Sequence, residues 1–145
     1  MVDNFAVDEE IRFQNITFDH ALQFAELYLP IWSDTSPWSV DNFLRELPEK
    51  WRLSFGVWMS SQPIGICIMS RRRGFPHIHH FMVQRRWRNT GIGSRMLAHA
   101  KNTAGNQISL KVSPENIGAI RFYTRHGFQN VSLENEHWVM ISAVA

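Results

Sequence analysis

The chain has a single cysteine, Cys67, among its 145 residues, so no intramolecular disulfide framework exists. That cysteine sits in the apolar run "PIGICIM" and reads as a small core residue of a protein kept in reducing surroundings. No apolar run approaches the length of a membrane span, and the opening "MVDNFAVDEE" lacks the cationic and apolar regions of a secretion signal. The expectation is a cytoplasmic protein without a membrane partner. Internal repeats, low-complexity stretches and linkers are missing as well, so residues 1–145 are read as one domain. With 44% hydrophobic residues, a chain of this length can build one sizeable core.

Lysine is scarce, whereas twelve of the fifteen cationic side chains are arginines, crowded into "SRRRGF" and "VQRRWRN". Guanidinium forks match phosphate oxygens bidentately, so such clusters suit phosphate recognition. A solvated basic face is the plainer reading. Nucleic acid is the sharper competitor, with the arginines on phosphates and Trp87 stacking on a base.

The hydrophobic pattern predicts the element order. "IRFQNIT" alternates as a strand does, and "DHALQFAELYLPIW" carries Ala21, Phe24, Ala25 and Tyr28 at helical spacing, with Asp19 as its N-cap. Pro30 and "SDTSPW" interrupt, and "SVDNFLREL" reads as a second short helix. "RLSFGVWM" and "PIGICIMSRR" form a hairpin across "SSQ", and "HIHHFMVQ" is a third strand. Ile92, Met96, Leu97 and Ala100 then mark a helix, and "ISLKV" a strand. "SPENIGAIRFYTRHGF" reads as a helix capped by Ser113, with Pro114 in its first turn and Gly127 at its exit. "FQNVSL" and "HWVMISA" close the chain as strands. The order β-αα-βββ-α-β-α-ββ implies a mixed α/β sheet. One helix separates "HIHHFMV" from "ISLKV", so those two strands are predicted to run parallel.

"WRNTGIGSRML" occupies the turn between that strand and its helix. In open α/β sheets ligands bind beyond the carboxyl ends of the parallel strands. There Gly91 and Gly93 would let an anion approach the backbone, the free N–H groups and dipole of the helix start would attract it, and Arg88 would add a charge. A pyrophosphate cradle fits this pattern, and so does a plain turn.

"RNTGIG" fits the signature Arg/Gln-x-x-Gly-x-Gly/Ala of the GNAT superfamily of acyl-CoA N-acyltransferases. "NIGAIRFYTRHGF" resembles that family's second signature through Asn116, Ala119, Tyr123, Gly127 and Phe128. The resemblance implies an α/β (α+β) fold with a mixed, mostly antiparallel sheet of six to seven strands, a central parallel pair and about four helices. It also implies acetyl transfer from acetyl-CoA to a primary amine by direct attack through a tetrahedral intermediate, with no metal. The acceptor would be a small amine, a peptide or protein N-terminus, or a lysine; the resemblance also admits a homodimer. Under it, the backbone of Phe81, Met82 and Val83 would pair with the pantetheine arm, and the Val83 N–H would serve the oxyanion. The amides of Arg88, Asn89, Thr90, Gly91, Ile92, Gly93 and Ser94 would hold the pyrophosphate. Asn116 would touch the cofactor arm, and Tyr123 would reprotonate the departing thiolate. A CoA-binding regulatory module without catalysis is the alternative within the same resemblance.

An ammonium ion must lose a proton before it attacks. Strand alternation puts His77 and His79 on the Phe81 and Val83 face and His80 on the other, and His77 occupies the position six before the valine where several family members carry a base. An ordinary histidine pKa near ~6.5 suits that role. His77 and His79 as zinc ligands would need a third ligand from His20, His99, His126 or His137, for which no spacing speaks. Trp32, Asp34 and Trp38, between the first two helices, are candidates for an acceptor wall, and equally for loop packing.

Overall fold

In a computed structural model, residues 10–32, 39–105 and 107–142 are described. Strand β1 (Ile11–Asn15) leads to helix α1, which starts as Phe18–Gln23, passes through a π-helical turn at Phe24–Tyr28 and ends as Leu29–Trp32. Its N-cap is Thr17, which forms a capping box with His20, rather than Asp19; Asp19 lies in the first turn, where its charge complements the dipole. The wide turn precedes Pro30, which has no N–H to donate and whose ring would crowd the preceding carbonyls of a regular helix. Helix α2 (Val40–Leu44) is capped by Ser39, and a one-turn helix α3 (Lys50–Leu53) follows.

Strands β2 (Phe55–Met59), β3 (Gln62–Arg72) and β4 (Phe75–Val83) form an antiparallel meander. Helix α4 (Ile92–Ala104), strand β5 (Ser109–Val112), helix α5 (Ile117–Arg125) and strands β6 (Phe128–Glu134) and β7 (His137–Ser142) complete the order. The seven strands make one sheet, ordered β1-β2-β3-β4-β5-β7-β6, parallel only between β4 and β5. The expected mixed sheet and parallel pair are therefore present. The fifth helix, α3, falls in a segment whose period was too short to register in the sequence. Helix α5 also starts later than expected: Asn116 Oδ1 accepts from the Ala119 N–H at 3.2 Å as the N-cap, while Ser113 only steadies the preceding turn.

Each face of the sheet is covered. On one, Ile92, Met96, Leu97 and Ala100 of α4 pack on Val57, Ile64, Cys67, Met69, Ile78 and Leu110, with Phe122 and Tyr123 of α5 alongside. On the other, Phe24 and Ala25 of α1 and Phe43 of α2 cover Ile66 and Ile68. Phe43 is wholly buried, so its truncation to alanine should destabilise the domain by about 3–5 kcal/mol.

Two irregularities around β4 shape the site. The β4–β5 ladder consists of His77 opposite Ser109 and Ile78 opposite Leu110; beyond it the two strands part. Against β3, Ile68 pairs with His80 but Met69 pairs with Ile78, so His79 is an extra residue, a β-bulge.

Candidate active site

A groove of about 580 Å³ opens where β4 and β5 part. Its floor is Phe81 to Val83, one end is the loop before α4, and its wall is α5. The Gln84 N–H donates to the Ile64 carbonyl at 2.8 Å, bracketing the Val83/Gly65 pair as in a non-hydrogen-bonded antiparallel pair. The N–H and C=O of Val83, and by the two-residue repeat those of Phe81, therefore point away from β3 and into the gap. An extended ligand can pair there as a strand would.

At the loop, Gly91 has φ +91° and a side chain on it would meet only open space, so glycine there serves conformation and access rather than packing. Gly93 differs: its Cβ would stand 3.1 Å from the Phe122 ring, so glycine brings α4 close to α5. Arg88 reaches back to the Val83 carbonyl through Nε at 3.0 Å, and Asn89 also takes a left-handed φ. Ser94 Oγ hydrogen-bonds His126 Nε2 at 2.9 Å.

Of the residues expected around a cofactor, Phe81, Met82, Val83, Arg88, Asn89, Gly91, Gly93, Ser94 and Tyr123 line the groove. Thr90 instead donates its hydroxyl to the Trp87 carbonyl, the Ile92 side chain is buried in the core, and Asn116 caps its helix. Gly118, Phe122 and Arg125 line the groove without having been singled out. The helical period through Ala119 and Tyr123 carried the signal for Phe122.

Tyr123 stands in the groove with its ring centroid 6.1 Å from Phe81 and 5.5 Å from Phe128. Burial, assisted by the neighbouring Cys67, pushes its pKa well up, so the phenol is fully protonated at neutral pH. The Cys67 thiol is likewise raised by burial and is inert.

The histidines depart from simple alternation. Phe81 and Val83 pack with the α4 face, whereas His80 lies against Phe43 and Phe24 on the opposite one, with ring centroids 4.9 and 6.5 Å away. His77 sits across from Ser70 on that opposite face too, because the bulge at His79 resets the alternation between Ile78 and His80. His77 Nδ1 hydrogen-bonds Ser109 Oγ at 2.7 Å, His79 Nε2 hydrogen-bonds Ser70 Oγ at 2.6 Å, and the two rings lie 4.8 Å apart. Thus all three histidines face α1 to α3, and the expected grouping of His77 and His79 with Phe81 and Val83 is corrected.

Their basicity is corrected as well. Burial, then the charges of His79, Arg72, Lys111 and Arg73, lowers His77 to about 3. Burial followed by Arg72 and Lys50 lowers His79 to about 4, and burial alone brings His80 to about 4. All three are neutral at pH 7, and none titrates near the ordinary value. Among the described residues, no group of three or more His, Cys, Asp or Glu is arranged to hold a metal. Trp87 packs against the α4-side core and is no exposed stacking platform for a base. Asp34 and Trp38 lie outside the described residues, as does the Trp32 side chain. Among the described residues no helix is long and apolar enough to cross a membrane.

A profile of the acetyltransferase (GNAT) family matches residues 19–128, and the chain belongs to that family. A curated protein of Mycobacterium leprae is 26% identical over 119 residues, 79% of this chain and 33% of the relative, so the chain spans about a third of its length. Among solved structures, Ard1 from Thermoplasma volcanium superposes with a TM-score of 0.75 at 19% identity, covering 94% of this chain and 99% of that one. The ribosomal-protein-S18-alanine N-acetyltransferase of Escherichia coli gives 0.72 at 15% identity, covering 93% and 94%. The PaiA N-acetyltransferase of Thermoplasma acidophilum, in complex with coenzyme A, gives 0.69 at 15%, covering 91% and 98%. At these identities the likeness establishes the fold.

Proposed function

We propose that the protein transfers an acetyl group from acetyl-CoA to an α-amine of a peptide or small molecule. The observation that carries this reading is the alignment of the outward backbone groups of Phe81 and Val83 with the positive-φ turn at Gly91, in one groove that also holds Tyr123. Acetyl-CoA would run its pantetheine arm along β4 and its pyrophosphate to the start of α4, with Arg88 and Arg125 offering guanidinium groups to the phosphates. The complex of PaiA with coenzyme A supports the same cofactor. The amine nitrogen attacks the thioester carbon, the oxygen gathers charge beside the Val83 N–H, and the C–S bond then breaks. Tyr123 gives its proton to the departing thiolate and recovers one from solvent; the ammonium proton leaves through water. Burial weakens the phenol as an acid, but the same dry groove makes the thiolate a stronger base, so the two remain matched.

Proton removal favours an α-amine. With a pKa near ~8, about a quarter of such an amine is neutral at pH 7.5, against about a thousandth of a lysine amine near ~10.4. Histidines as weakly basic as His77 and His79 can relay a proton through water but cannot hold it. The E. coli neighbour, named for an alanine acceptor, supports the same class.

The test combines calorimetry with acetyl-CoA and thiol release with alanine-starting peptides. Binding with turnover is expected. Binding without turnover of any amine leaves a CoA-binding regulatory module, and no binding removes the groove assignment altogether.

A further inference from the structure

A second pocket, about 390 Å³, lies on the histidine face between the segment after α2 and the hairpin end of β3 and β4. Arg45, Pro48, Ser70, Arg72 and His79 are among its walls. Arg71 also lines it, but Glu49 neutralises that guanidinium; hydrogen bonds from Arg71 and then Arg52 hold the Glu49 carboxyl down at about 2. Arg45 and Arg72 have no carboxylate partner among the described residues. Glu134, which feels the charge of Arg72, is held by Lys111 and Arg73.

The pocket is built rather than incidental. Lys50, 1% exposed, donates from Nζ to the carbonyls of Phe43 and Arg45, both at 2.6 Å, closing the end of α2 and fixing the backbone that carries Arg45. The Arg71 N–H donates to the Pro48 carbonyl at 2.9 Å, fastening the same segment to β3. A rigid wall thus presents two uncompensated guanidinium groups. His79 links this pocket to the reaction groove: it is a wall here, and it is also the bulge residue directly after the last β4–β5 pair.

We propose that this pocket is the anion subsite of the acceptor, receiving a carboxylate carried near the reacting amine, so that the preferred acceptors are acidic peptides or amino-acid-like amines. The inference rests on the acyl-transfer reading only for what the bound molecule does next. A carboxylate would pair bidentately with Arg72 or Arg45 where solvent is partly excluded. Positive potential in the pocket repels a cationic tail, and near the reaction site it favours the neutral, attacking form of an amine.

Three dipeptides test this: alanyl-aspartyl amide, with only a side-chain carboxylate; alanyl-asparagine, with only a C-terminal one; and alanyl-asparaginyl amide, with none. Thiol release should give at least one acid-bearing dipeptide a kcat/KM about tenfold above the uncharged one, expressed in KM, and the better of the two identifies which carboxylate is read. In Arg72→Gln and Arg45→Gln that ratio should fall toward one, while acetyl-CoA affinity stays constant by calorimetry and circular dichroism stays native. Arg72→Lys should keep part of the preference. A ratio near one in the unaltered protein, or a preference surviving both glutamine variants, overturns the proposal. Should no dipeptide be acetylated, the peptide part of the acyl-transfer reading fails, and His79 ring resonances followed by NMR decide on the pocket. Shifts with an acid-bearing dipeptide and none with the uncharged one uphold the anion subsite; equal or absent shifts refute it.

Discussion

Replacing Gly91 by alanine separates a conformational role from a ligand-binding one. The backbone there is left-handed, φ +91°, and an added methyl meets nothing within 4 Å, so the loss of stability comes from the dihedral alone. A residue with a Cβ in that region costs roughly 1–2 kcal/mol, or a drop in Tm of about 2–8 °C for a domain of this size. The methyl would also occupy the open space in front of the loop, where phosphate oxygens must come to reach the N–H groups at the start of α4. Loss of one charge-assisted hydrogen bond is worth about 1.5–3 kcal/mol, which weakens acetyl-CoA binding by roughly 10- to 150-fold. Gly74, in the β3–β4 hairpin, has φ +85° and equally open surroundings but does not line the groove. Gly74→Ala should therefore show a similar fall in Tm with unchanged affinity. Calorimetric titration and thermal melts of both variants decide the matter. Equal affinity in Gly91→Ala and Gly74→Ala, with equal loss of stability, would falsify the cradle.

Three other outcomes are expected. Tyr123→Phe keeps the ring among Phe81, Phe122 and Phe128 but removes the proton, so kcat should fall about 100-fold or more with acetyl-CoA affinity and Tm nearly constant; an unchanged kcat with a chemistry-limited acceptor makes Tyr123 a packing residue. The pH profile of kcat/KM should show no imidazole ionisation between pH 5 and 7, and should rise instead with the acceptor's own pKa, near ~8 for an α-amine; His77→Gln and His79→Gln should lower the rate without moving that midpoint, and a midpoint near ~6.5 that vanishes in either variant contradicts the lowered basicity. Finally, His77, His79 and His80 are neutral in the fold down to about pH 4 or below but protonate near ~6.5 when unfolded, so the unfolded state binds more protons and stability falls as pH drops from about 6.5 toward 4, by on the order of 1.4 kcal/mol per pH unit for each; His80→Leu should remove about one histidine's share of that slope in denaturant melts, and an unaltered slope argues against its buried neutral state.

The fold was legible because its signals are local and redundant. The period of Ile92, Met96, Leu97 and Ala100 names the buried stripe of α4, and all four are core residues. The parallel pair follows from one helix between two strands. The glycine loop is legible because a left-handed φ beside open space leaves few residues a choice. Less legible were features that depend on a partner strand. Nothing in "HIHHFMV" signals that His79 is an extra residue, since a bulge is defined by the pairing with Ile68 and Met69 on β3. The capping role of Asn116 hides within a motif that reads equally as cofactor contact. Lys50 gives no sign of burial in "LPEKWRL"; its position is set by the carbonyls left over at the end of α2, twelve residues after Trp38 in the chain.

Under the proposed function, the bulge that defeats alternation would also let one strand serve two substrates. Without it, His79 would share a face with Phe81 and crowd the pantetheine side. With it, β4 sends Phe81 and Val83 to the α4 face and His77, His79 and His80 to the α1 to α3 face within seven residues. The backbone groups of Phe81 and Val83 point edgewise into the gap between these two sides. A thioester lying in that gap, as proposed, would be approachable from the histidine face, while its leaving group would remain beside Tyr123 on the other. In the proposed reaction, attack and departure on opposite faces would keep the incoming amine's proton away from the outgoing thiolate, with proton loss past weakly basic imidazoles and proton delivery from a phenol. Deleting His79 would leave Ile78 opposite Met69 and His77 opposite Ser70 in a regular ladder, whereas pairing His79 itself with Met69, a one-residue slip, would turn His77 and Ile78 over relative to β3, putting His77 into the α4-side core and Ile78 on the Ser70 side. The slip would break the polar pairs with Ser109 and Ser70 together, and the deletion only the one between His79 and Ser70, so the bulge adds a second polar pair to a strand whose faces are already set.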